Sequence, residues 1–87
     1  MTIKEEIRKI LWDLFPDMMV DNFGDDSKIF GEESELGLDS IDALNFIVAV
    51  ETKFKVRIDE GKEEAGRIVS TINTLAGWLD DKGMEPE

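Results

Sequence analysis

One serine stands where its hydroxyl could do chemistry. Ser40 lies in the run Glu35-Leu36-Gly37-Leu38-Asp39-Ser40-Ile41-Asp42. The glycine permits a sharp approach, and Asp39 is a good N-cap, so Ser40 falls in the first turn of a helix, within reach of another enzyme. It has no helper for nucleophilic work of its own. The chain contains no His, and no Ser-x-x-Lys follows Ser40. These residues argue against self-contained catalysis and for a serine modified by another protein. Taken alone, they also leave open that Asp39-Ser40 does no more than cap a helix.

Other chemistries are narrowed by what is missing. There is no Cys either, which removes thiol nucleophiles, disulfides and the usual Cys/His zinc sites. Asp21-Asn22-Phe23-Gly24-Asp25, with Glu32, hints at a calcium loop. Its third position would be Phe23, however, and its sixth, which should be Gly, is Asp26. No metal is expected. The 87 residues carry 21 acids against 10 Lys and Arg, a formal charge of −11. Such a surface repels nucleic acid and anionic membranes and favours basic patches on other proteins. No apolar run approaches a bilayer span, and the N-terminus shows no signal-peptide core. The expectation is a soluble, monomeric protein of the cytoplasm.

The elements that must position Ser40 follow from periodicity. Hydrophobic residues make up 41%, enough for the core of one small domain spanning 1–87. Thr2 and Glu5 form a capping box, and Ile3, Ile7, Ile10, Leu11 and Leu14 recur at helical spacing until Pro16, predicting a helix over about 2–15. Residues 17–38 have no period but hold Met18, Met19, Val20, Phe23, Ile29, Phe30 and Leu36. They read as a long ordered loop pinned to a core. A helix capped by Asp39 follows, with Ala43, Leu44, Ile47, Val50 and Phe54 on one side. Lys55 to Ile58 reads as loop, and 62–68 as one or two helical turns. Ser70 or Thr71 caps a last helix, in which Ile72, Leu75, Ala76 and Leu79 share a stripe; Gly83 ends it and 84–87 read as a frayed tail. The sum is an all-α four-helix bundle with three longer helices and one short one.

Leu36-Gly37-Leu38-Asp39-Ser40-Ile41-Asp42 resembles the modification site of the acyl carrier protein family, whose motif runs Leu-Gly-x-Asp-Ser-(Leu/Ile)-Asp. The likeness continues through Glu51, Phe54, Ile58, Asp59-Glu60 and Ile68 to the last capped helix. It implies a non-catalytic carrier in which Ser40 holds 4′-phosphopantetheine, transferred from coenzyme A by a separate phosphopantetheinyl transferase. The thiol of that arm then holds acyl groups as thioesters for enzymes of fatty acid, lipid or polyketide-type biosynthesis. By the same resemblance, the acyl chain is sheltered between the helices beside Ser40. The candidate lining is Phe46, Ile47, Val50, Ile68, Leu75 and Leu79, for each of which core packing is the simpler reading. A cavity in so small a core is destabilising, so a pocket that closes when empty is expected.

Docking should fall to Asp39, Ile41, Asp42, Val48 and Glu51. Residues 17–42 carry a net charge of −8, whereas 43–58 carry +2, so the negative field gathers ahead of Ser40. Ile41 and Val48 match family positions whose exposed apolar side chains enter partner enzymes. The chain departs from the pattern at Asn45, Thr52 and Lys53, where acids are usual, and it is longer between Ile58 and Ile72. A specialised, free-standing carrier with its own loading and using enzymes is expected. Aminoacyl, D-alanyl or peptidyl carriage is the nearest alternative, and a plain helical interaction domain the more distant one.

Overall fold

The first helix begins where its capping box closes. The Thr2 hydroxyl accepts from the Glu5 backbone N–H at 3.1 Å, and the Glu5 carboxylate accepts from the Thr2 backbone N–H at 3.4 Å. Helix α1, Ile3–Leu14, stops before Phe15-Pro16, as the restriction that proline places on its predecessor requires. The computed structural model describes residues 2–31, 34, 36–58 and 62–83, and of Ser40, Lys62 and Glu63 the backbone alone. Three more helices follow: α2, Ser40–Phe54; α3, Lys62–Ile68; and α4, Ile72–Asp81. Thr71 caps α4 by accepting from the Thr74 N–H at 3.0 Å, and Gly83 takes up a left-handed φ of 74° just beyond it. α1 packs against α2 and α4, and α3 against α4. The all-α bundle expected from periodicity is the fold observed. The tail at 84–87 and the pair Asp59-Glu60 lie outside the described residues.

The segment between α1 and α2 is ordered by polar anchors as well as apolar ones. Met19, Phe23, Ile29, Leu36 and Leu38 are buried in the common core. Arg8 on α1 donates to the Phe23 carbonyl at 2.7 Å and to the Asp25 carboxylate at 2.6 Å. The Asn73 backbone N–H of α4 reaches the Asp25 carbonyl at 3.0 Å, and its side-chain amide binds Asp26. Farther along, the Ile29 N–H donates to the Ser70 carbonyl at 2.9 Å. The Asp25 carboxylate, drawn into the calcium-loop comparison, serves here as the ion-pair partner of Arg8, with Lys4 at 4.0 Å.

Two side chains on the α1–α2 seam depart from the helical-wheel reading. Glu6 is buried, and Lys53, which lies outside the apolar side expected for α2, turns inward to meet it with 3.6 Å between Nζ and the carboxylate. The Glu6 oxygen has no hydrogen-bond partner, so its compensation is this ion pair. Leu44, read as core, is 56% exposed, and Leu14 at the end of α1 is also exposed. Leu44 lies about half a turn around α2 from Lys53, which meets α1, and so turns to solvent.

A buried carboxylate that loses its cation is left uncompensated, which is the costly way to break such a pair. Lys53 keeps 35% of its side-chain surface in water, which moderates the effect. Urea unfolding of Lys53→Met should show a loss of about 1–3 kcal/mol. Pairing it with Glu6→Met should recover most of that loss, because an apolar pair of similar volume needs no compensation.

Candidate phosphopantetheine attachment site

The approach to α2 alternates between inside and outside. Leu36 and Leu38 are buried, whereas Gly37 and Asp39 are exposed. Gly37 has a φ of 72°, a conformation that side-chain-bearing residues rarely adopt. A Cβ there would sit at an ordinary 3.8 Å from the Met18 methyl, so the backbone, not the space, calls for glycine. Leu38 forms an isolated parallel bridge with Phe30, and its carbonyl accepts from the Gly31 N–H at 3.0 Å. Ser34 braces the same bend, donating to the Ile29 carbonyl and accepting from the Leu36 N–H at 3.1 Å. Chain direction into the helix is thus fixed before the first turn begins.

Asp39 then starts α2. Its carboxylate accepts from the Ile41 N–H at 3.0 Å and the Asp42 N–H at 3.1 Å, and the Asp42 carboxylate accepts from the Asp39 N–H at 3.1 Å. This reciprocal box satisfies orphan donors at the helix start and puts negative charge at the positive end of the dipole. Ser40 is the first residue of the helix; its side chain lies outside the described structure. Its neighbours are surface residues: Asp39 is exposed, and Ile41 is 67% exposed.

Residues 33–62 match the family model of the phosphopantetheine attachment site. The match covers about a third of the chain and takes in the bend, all of α2 and the segment leading into α3. It is consistent with a member of the acyl carrier protein family, and the prosthetic group that this family attaches is 4′-phosphopantetheine. The chain matches no curated protein and no solved structure. The attachment site marks a carrier that other enzymes modify. The geometry suits that group: a braced helix start with exposed neighbours gives a tether point fixed in space.

Around the attachment site, the residues expected to dock partners take different positions. Val48 is 60% exposed and shares a stripe with Ile41. Leu44, between them along the helix axis, completes the stripe; sequence reasoning missed it by assigning every large apolar residue between Ala43 and Phe54 to the core, Val48 excepted. Asp42 and Glu51 are half-buried. The Glu51 carboxylate accepts from the Ile58 N–H at 2.8 Å and so holds the segment after α2 against the helix. Phe46, Ile47, Val50, Ile68, Leu75 and Leu79 all belong to one core or pack against it.

Asp39→Ala should destabilise the protein by about 1 kcal/mol in thermal or urea unfolding, the usual cost of a lost N-cap. Asp39→Asn keeps a capping oxygen and should recover most of that stability while removing the charge.

Proposed function

We propose that this protein is an acyl carrier whose 4′-phosphopantetheine is joined to the Ser40 hydroxyl. The observation that carries the reading is the coincidence of the attachment-site match with a doubly capped helix start whose described neighbours, Asp39 and Ile41, are exposed. When bound, the arm supplies a thiol on which acyl groups are held as thioesters. The chain contributes the tether point, a docking face and no reactive group of its own. With no cysteine, it offers no thiol to compete with the arm.

Docking falls to Asp39, Asp42 and the stripe Ile41, Leu44 and Val48, with Glu51 at its flank. Charge supplies approach and the apolar stripe supplies contact. The partners are a phosphopantetheinyl transferase and the enzymes that load and use the acyl group, each with a basic patch. The outward face of α2 bears Asn45 and Thr52, both exposed and uncharged. Its charge is therefore sparse beyond the first turn, which supports a specialised carrier, serving fatty acid, lipid or polyketide-type synthesis with enzymes of its own.

Incubation with coenzyme A and a promiscuous phosphopantetheinyl transferase should give one adduct by intact mass, mapped to Ser40 and lost in Ser40→Ala. A chain left unmodified, or modified elsewhere, would sink the proposal. If the acids steer encounter, the modification rate should fall roughly tenfold between about 0.01 M and 0.15 M salt, over which the Debye length shrinks from about 30 Å to about 8 Å. Asp39→Asn should lower that rate at low salt with its fold intact.

A further inference from the structure

The last turn of α1 leaves a leucine in solvent where the helical stripe called for core. Leu14 is exposed, and with Ile10 and Asp13 it forms one wall of an open cleft of about 350 Å³. Ala49, Thr52 and Lys53 of α2 form the other wall. Lys53 lends the cleft little charge, since its ammonium lies 3.6 Å from the buried Glu6 carboxylate. Asp13 is exposed, and no ion pair holds it among the described residues.

The cleft is continuous with the exposed stripe of α2. Successive residues of a helix turn by about 100°. Around α2 from Val48 and Ile41, the next residues are therefore Thr52, Asn45 and then Ala49, on the flank that leads to α1. Asn45 and Thr52 are exposed and uncharged, and the Thr52 hydroxyl donates to the Val48 carbonyl at 2.9 Å. Past the first turn of α2, a protein reaching from the stripe toward α1 meets no acid until Asp13, on the far wall of the cleft. Apolar surface that runs from a contact stripe into a cleft with a charged rim marks a site of interaction.

We propose that the docking face of this carrier crosses the seam between α1 and α2. The cleft takes an apolar side chain from a basic amphipathic helix of a partner enzyme, and a Lys or Arg of the same helix reaches Asp13. Charge selects this occupant. An acidic helix would be repelled by Asp13 and by the formal charge of −11, and a second copy of the chain would bring the same −11 with it. A basic helix is attracted, and Ile10, Leu14 and Ala49 give its apolar face something to touch. The inference rests on the carrier reading for the nature of the partner and deepens it. The acids that the resemblance places at Asn45 and Thr52 are missing from α2, and Asp13 across the seam stands in for them. Enzymes that read charge along α2 alone would bind this carrier poorly.

The test titrates the unmodified chain at low salt with a synthetic amphipathic helical peptide that bears Leu on one face and Arg beside it, and follows the amide resonances. Saturable shifts are expected at Asp13, Leu14, Ala49 and Thr52 as well as along Ile41, Leu44 and Val48. Leu14→Ala should weaken binding roughly fivefold, and Asp13→Asn roughly two- to fivefold. Asp80→Asn removes the same charge from the exposed end of α4 and should weaken binding less than Asp13→Asn does. Shifts confined to Ile41, Leu44 and Val48 would overturn the proposal, as would an absence of saturable binding or an equal loss in Asp13→Asn and Asp80→Asn. Asp13→Asn alters an exposed side chain and keeps the fold, so the test stands even if Leu14→Ala does not fold. Failure of Ser40 to accept an arm would instead overturn the carrier reading, and intact mass reads that separately from the titration.

Discussion

The parallel bridge between Phe30 and Leu38 is the constraint on which the rest of the molecule depends. A carrier's tether must project from the surface, yet the chain leading to it must be held firmly enough to fix its direction. Here the two demands are met by alternation. Leu36 and Leu38 turn into the core while Gly37 and Asp39 turn out, and the bridge sets that register. A slip of one residue would bury Asp39 and expose the two leucines. The same bridge sets Phe30 beside Phe46, so one short pairing ties the chain that enters α2 to the inner side of that helix.

The distribution of charge follows a similar division of labour. Positive side chains that a simple count would credit to the surface are spent on holding elements together. Arg8 fastens the loop through Asp25 and the Phe23 carbonyl, and Lys53 answers the buried Glu6. Arg8 and Lys4 of α1 both converge on one acid ahead of α2, Asp25. Lys53 also changes meaning in this light. As a departure from the acidic pattern of the resembled family, it suggested an altered docking face; its position makes it first a partner for α1.

Much of the fold was legible because its signals were local. Thr2 with Glu5, Asp39 with Asp42, and Thr71 are caps whose chemistry is complete within four residues, and each starts the helix expected of it. Pro16 and Gly83 ended helices for equally local reasons. The candidate site was legible as a motif, and Leu36 to Asp42 lies within the residues that the attachment-site model matches. What escaped notice was set by distant residues. Leu44 and Lys53 trade places relative to the wheel because α1 packs on one flank of α2 and leaves the other open, and nothing within α2 says which flank that is. Glu51 was read as a docking acid, and nothing local showed that its carboxylate also accepts from an N–H seven residues away. The bond from the Ile29 N–H to the Ser70 carbonyl joins residues far apart in the chain and has no trace in the local pattern.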